Sequence, residues 1–83
     1  MTEEIRSIID HHARLSVAAD ELDADASLYQ AGMTSHASVK VMLALEDHFE
    51  IEFPDRMLNP SVFESIASIQ AAVTELCATA KQS

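Results

Sequence analysis

The 83-residue chain is poor in residues that break helices or form cross-links: it has one glycine, two prolines, no tryptophan and one cysteine. Cys77 alone cannot form a disulfide within the chain, so nothing here requires an oxidising compartment. A chain this short buries only about 60–65% of the surface that it exposes when unfolded. A deep, self-contained catalytic pocket is therefore not expected.

Basic residues are also scarce, with five Lys and Arg against fourteen Asp and Glu, for a formal net charge of −9. This charge repels nucleic-acid phosphates and anionic membrane surfaces, and favours encounters with partners that carry basic patches. The longest apolar run, Val41 to Leu45, is far too short to span a membrane, and the first residues are acidic where a signal peptide would be basic. We expect a cytoplasmic monomer that binds neither nucleic acid nor membrane.

The composition favours a single all-α domain over residues 1–83, because 48% of the residues are hydrophobic and helix breakers are few. Apolar spacing of three and four residues predicts a first helix at about 2–15 and a second at about 35–50. Between them lies a long loop rich in Asp and Ser. Loops of this length in compact domains are functional or anchored, and Leu22, Leu28 and Tyr29 are the expected anchors.

The last third of the chain predicts two more helices, which completes a small four-helix bundle. Asn59 and Pro60 have the pattern of a helix cap followed by proline at the first helical position, so a short third helix of a single turn is expected at about 60–63. Ser65 can cap a fourth helix at about 66–79. The buried stripe of that helix would contain Ile66, Ile69, Val73 and Leu76.

The second helix has two faces of different composition. Val41, Met42, Leu45 and Phe49 lie on one side of a helix with 3.6 residues per turn and are expected in the core. The other face mixes apolar and acidic residues, which is typical of a contact with another protein, although its apolar members could also belong to the core margin. That face contains Val39, Leu43, Glu46 and Asp47.

The start of the second helix, AGMTSHASVK over residues 31–40, concentrates hydroxyl groups behind the one glycine. A nucleophilic serine needs a base, but His36 is adjacent to Ser35, and neighbouring helical residues point about 100° apart. There is also no glycine-rich oxyanion loop, which disfavours a hydrolase. The four histidines lack the paired spacing of metal ligands, so no metal site is expected.

A helix N-terminus offers unpaired backbone N–H groups and a positive dipole, which stabilise an attached phosphate. Gly32 lets the backbone turn sharply just before Ser35, whose oxygen could carry a phosphoryl group over the helix end. The simpler alternative is that Thr34 or Ser35 only caps the helix and Gly32 only forms a turn. The two interpretations are compatible.

Beyond these features, the chain resembles the acyl carrier protein family. The family pattern is a leucine with an aromatic or acidic residue, G-x-D-S-L opening a helix, an A-L-E-x-x-F-like helix end and an I-x-x-P-D-like turn. Similarity continues through Phe63–Glu64–Ser65–Ile66 and Ile69, so it covers about residues 27–69. The matching positions are Leu28, Tyr29, Gly32, Ser35, Ala44, Leu45, Glu46, Phe49, Ile51, Pro54 and Asp55.

The resemblance implies a carrier protein, not an enzyme. In this family a serine, here Ser35, receives 4′-phosphopantetheine from coenzyme A through a phosphopantetheinyl transferase. The arm holds an acyl or aminoacyl group as a thioester, which a ligase or synthetase loads and downstream transferases receive. Gly32, Thr34 and His36 would surround the attachment point, and Val39, Lys40, Leu43, Glu46 and Asp47 would form the partner surface.

Three positions depart from the family pattern, since Thr34 replaces the usual Asp, His36 the usual Leu, and Lys40 interrupts a face that is often acidic. These changes favour a specialised carrier. The segments Gly32–Ser35 and Phe53–Asn59 are similar to the G-[LM]-[TS]-S and F-P-[DE]-x-x-L-N segments of small stand-alone carriers loaded with amino acids. Two rival functions remain: an unmodified acidic helical adaptor with a carrier-like fold, and an esterase that uses Ser35 and His36.

Overall fold

The computed structural model describes residues 2–13 and 15–81, with side chains described as far as residue 78. These residues form three α-helices, α1 (Thr2–Ala13), α2 (Ser35–Phe49) and α3 (Ile66–Lys81), and two 3₁₀ turns, Ala19–Glu21 and Asp55–Met57. No strand occurs in this part of the chain. None of its helices has the length and hydropathy needed to cross a membrane.

One hydrophobic core lies between the three helices. Apolar residues of α1 and the predicted core residues of α2 and α3 all contribute to it, and the first loop adds Leu28 as an anchor. The half-buried Tyr29 and Leu22 pack against its margin, as expected. The side chains with no exposed surface are Ile5, Ile9, Ala19, Leu28, Val41, Leu45, Ile66, Ile69 and Val73.

Polar contacts from α1 hold the first loop. The Arg6 guanidinium donates hydrogen bonds to the carbonyl oxygens of Ala19 and, at 2.8 Å, Leu22. The Asp10 carboxylate accepts from the backbone N–H of Ala19 at 2.8 Å. Because these bonds satisfy backbone groups beside the buried Ala19, the long loop keeps a fixed path without extended regular structure.

The short third helix predicted at 60–63 is not confirmed as a helix, because these residues form a single hydrogen-bonded turn. Asn59 does cap this turn, since its side-chain oxygen accepts from the N–H of Val62 at 3.3 Å. After this turn, the carbonyl oxygen of Val62 accepts from the Ser68 hydroxyl at 2.7 Å, and that of Glu64 accepts from the N–H of Leu28 at 2.7 Å, so the segment is tied to α3 and to the first loop. The bundle therefore has three α-helices in the described residues.

The three long helices match the predicted ranges to within two residues. Helix α1 ends at Ala13 instead of about residue 15, and Ser16 pairs its N–H with the carbonyl of Ala31 at 3.0 Å. Helix α2 ends at Phe49 because Glu50 adopts a left-handed conformation, with φ of 54°. This reversal sends the chain back along α2 and sets the position of the following segment.

Candidate functional site

The hydroxyl groups at the start of α2 have three different environments. The Thr34 hydroxyl accepts from the N–H of Ala37 at 3.0 Å, so Thr34 is the N-cap of the helix. The Ser38 hydroxyl donates to the carbonyl oxygen of Ser35 at 2.6 Å. The exposed Ser35 hydroxyl makes no hydrogen bond within the described residues. The capping role therefore falls to Thr34, and Ser35 keeps a free nucleophilic oxygen.

Gly32 makes the turn into α2, as the sequence predicted. Its φ of 118° lies in a region of backbone conformation that residues other than glycine rarely adopt. The Gly32 N–H donates to the carbonyl of Tyr29, and the next N–H, of Met33, donates to that of Leu28. Met33 is buried by this turn, while Ser35 emerges two residues later at the surface.

His36, the next residue along the helix, is exposed, and no hydrogen bond joins it to Ser35 in the described structure. The Ser–His contact that an esterase needs is thus not formed. Among the described residues there is also no group of three His, Cys, Asp or Glu residues placed to hold a metal ion. The chemistry available at this helix end is that of an accessible alcohol.

An apolar groove of about 310 Å³ runs from Ser35 between α2 and the segment that follows residue 57. Its α2 wall has the spacing i, i+3, i+4 and i+7, which is one face of a helix. The opposite wall was not predicted, because it depends on the turns between α2 and α3. The lining residues are Tyr29, Ser35, Ser38, Val39, Met42, Leu58, Asn59, Pro60 and Phe63.

The interior beneath this groove is closed. Leu45, Ile66 and Ile69 have no exposed surface, whereas Met42 is partly exposed and lines the groove. A small apolar group at the end of a flexible arm could therefore rest against Met42 without opening the core.

The predicted partner face on α2 is largely exposed. Val39 and Leu43 are 49% and 55% exposed, values that rule out a core-margin position, and Lys40 and Asp47 are exposed beside them. Glu46 differs, since it is half-buried and its carboxylate accepts from the backbone N–H of Phe53 at 2.9 Å. The exposed part of this face thus combines apolar contact area with charges of both signs.

Comparison with known proteins identifies a family and similar carrier proteins. Residues 4–76 match the family model described as phosphopantetheine attachment site. The chain is 42% identical over 73 residues to a protein from Agrobacterium fabrum (strain C58) named aminoacyl carrier protein, with 88% of each chain covered.

Solved structures show the same fold. A carrier protein from Agrobacterium tumefaciens, crystallised with an engineered Bradyrhizobium japonicum glycine:carrier protein ligase and AMP, matches with a TM-score of 0.86 and 42% identity, covering 89% of this chain and 99% of that one. A holo acyl carrier protein from Nitrosomonas europaea, solved by NMR, matches with a TM-score of 0.78 and 26% identity, covering 89% and 92%.

The family match extends over most of the chain, and the free serine hydroxyl lies within it at a helix N-terminus that suits a phosphodiester. The chain belongs to the phosphopantetheine attachment site family and is a carrier protein whose prosthetic group is covalently attached phosphopantetheine.

Proposed function

We propose that Ser35 carries the phosphopantetheine arm and that this protein delivers an aminoacyl group to partner enzymes. The observation that supports Ser35 most strongly is the contrast between hydroxyl groups. Thr34 and Ser38 use theirs within the helix end, while that of Ser35 is exposed and has no partner in the described residues. The arm supplies a flexible thiol that holds the cargo as a thioester.

The residues around Ser35 suit a phosphodiester at this position. The first turn of α2 contains no acidic residue, so the positive end of the helix dipole is not neutralised by its own side chains. His36 adds an exposed imidazole with ring N–H hydrogen-bonding capacity, and Gly32 allows the positive-φ turn that precedes the helix. The groove from Tyr29 to Phe63 gives the arm an apolar surface on which to rest.

A phosphopantetheinyl transferase would prime Ser35, and incubation with such an enzyme of broad specificity and coenzyme A tests this step. Intact mass should show one phosphopantetheine on the natural protein and on Ser38→Ala, and none on Ser35→Ala. Ser38→Ala is the matched control because it removes a hydroxyl one helical turn away. A bare natural protein would instead favour an unmodified adaptor, and addition that survives Ser35→Ala would place the arm on another residue.

An aminoacyl cargo is supported by the two most similar carriers described above, one named for this cargo and one crystallised with a glycine:carrier protein ligase. By this proposal a ligase of the same class loads the present protein. Primed protein, glycine, ATP and such a ligase should yield a thioester that hydroxylamine releases. If the primed protein accepts only fatty acyl groups from an acyl ligase, the aminoacyl assignment is wrong.

The ligase and downstream transferases would bind the exposed face of α2, which contains Val39, Lys40, Leu43 and Asp47. This face begins one turn after Ser35, so an enzyme bound there has the arm within reach. Leu43→Ala should raise the ligase KM while leaving priming complete in long incubations. An unchanged KM would place the docking surface elsewhere. The protein itself acts as a substrate of these enzymes and not as a catalyst.

A further inference from the structure

The Glu46 carboxylate connects α2 to the segment that follows it. Its Oε2 atom accepts from the backbone N–H of Phe53 at 2.9 Å, across seven residues of chain. The backbone carbonyl of Glu46 accepts from the N–H groups of Glu50 and, at 3.1 Å, Ile51. One residue therefore fixes the whole path by which the chain leaves α2, up to Phe53.

Phe53 in turn supports the groove. Its ring is buried and packs on the ring of Phe63, with centroids 5.4 Å apart and an angle of 56° between the ring planes. Phe63 lines the groove that contains Ser35. A continuous series of contacts thus runs from the Glu46 carboxylate through Phe53 to the wall of the groove.

We propose that Glu46 is a positioning residue for the groove beside Ser35, acting through the hydrogen bond to Phe53, and not a charge that partner enzymes recognise. The inference rests on the proposed function, because it concerns the groove in which the arm lies. It separates Glu46 from its neighbour Asp47, whose exposed side chain belongs to the partner face.

Two substitutions of Glu46 distinguish the effect of side-chain length from the effect of charge. Glu46→Gln keeps a side-chain oxygen at the same reach and removes the charge, whereas Glu46→Asp keeps the charge and withdraws the oxygen by one methylene. Both variants are conservative enough to fold. Glu46→Gln should keep the hydrogen bond to Phe53 and lose the charge, and Glu46→Asp should do the reverse. Asp47→Asn is the matched control for loss of one negative charge on the adjacent exposed position.

The first measurement is amide hydrogen exchange on the unmodified protein. In Glu46→Asp the Phe53 amide should exchange about fivefold faster, the factor expected for losing one hydrogen bond of ordinary strength, while the amides of the core helices change little. The ring signals of Phe63 should shift in the same variant. Glu46→Gln and Asp47→Asn should retain the natural exchange rate and ring signals.

The second measurement compares primed with unmodified protein. Priming should shift the signals of the Met42 methyl group and the Phe63 ring in the natural protein and in Glu46→Gln, and shift them less in Glu46→Asp. The proposal would be overturned if the Phe53 amide of Glu46→Asp exchanged at the rate of the natural protein. It would also be overturned if priming shifted the Met42 and Phe63 signals in Glu46→Asp but not in Glu46→Gln. Failure to prime Ser35 at all would be seen separately by mass and would leave the exchange result intact.

Discussion

The Glu4 carboxylate lies 2.7 Å from Nε2 of His48, which joins the first turn of α1 to the last turn of α2. His48 also packs edge-on against the ring of Phe49, with centroids 4.8 Å apart. The hydrogen bond with His48 lowers the pKa of Glu4 from its ordinary value of 4.5. Because the folded pKa is the lower one, the contribution of Glu4 to stability is present above pH 4.5 and is lost as the pH falls through the folded value.

Glu4→Gln should therefore lower the urea midpoint slightly near pH ~5.5, and the difference from the natural protein should shrink as the pH falls below 4.5. Glu3→Gln is the matched control, since Glu3 is an exposed acid in the same helical turn. The control should show a smaller dependence on pH. A Glu4→Gln deficit that persists unchanged at pH ~3 would mean that the pair does not act through the ionised carboxylate.

Two leucines of α2 provide a test of the core. Leu45 has no exposed surface, whereas Leu43 is 55% exposed on the partner face. Leu45→Ala should lower the free energy of unfolding by about 2–5 kcal/mol through lost burial and the cavity left behind. Leu43→Ala should change it by no more than about 0.5 kcal/mol. Equal losses in urea unfolding would show that the two faces of α2 are wrongly assigned.

The first loop should depend on Arg6. Arg6→Ala leaves the Leu22 carbonyl oxygen without its Arg6 donor and that of Ala19 with only the N–H of Leu22, at an expected loss of about 1–3 kcal/mol in the free energy of unfolding. The control is Arg56→Ala, which removes an exposed ion pair with Glu75 at 3.2 Å and should lose no more than about 1 kcal/mol. If both variants lose the same amount, the loop is held by its buried side chains and not by Arg6.

Substitutions of Thr34 test its capping role and compare it with aspartate, the usual residue at this position in the family pattern. Thr34→Ala removes the acceptor for the Ala37 N–H and should destabilise the protein by about 1 kcal/mol. Thr34→Asp should be neutral or stabilising, because aspartate also caps and its charge suits the helix N-terminus. Thermal unfolding measures both, and a destabilised Thr34→Asp would contradict the capping geometry described for Thr34.

Much of the fold could be predicted from residue spacing. The three long helices follow from apolar periodicity, and in the last two the buried residues are among those that the periodicity selects, such as Val41, Leu45 and Ile69. The predicted short third helix is only a turn capped by Asn59, and the N–H of Leu28 bonds to the carbonyl oxygen of Glu64 just after it. Leu28 is far away in the sequence, so this contact leaves no local signal.

The candidate site also combines features that the local sequence predicts with features that depend on tertiary contacts. Ser35, Gly32 and Thr34 were recognisable because a turn, a cap and a helix start occur within four residues. Helical spacing placed Glu46 on the partner face, yet its carboxylate bonds to Phe53 because Glu50 reverses the chain direction. The groove wall opposite α2 also depends on this reversal of chain direction. Helical residue spacing could therefore predict only the wall that α2 itself forms.

We propose that one oxygen atom, Oγ of Ser35, carries the arm. Fragment-ion mass spectrometry of the primed protein tests it most directly, because it assigns the added phosphopantetheine to a residue within the segment 31–40. We predict that every modified fragment places the group on Ser35. Phosphopantetheine found on Thr34 or Ser38 would contradict the account.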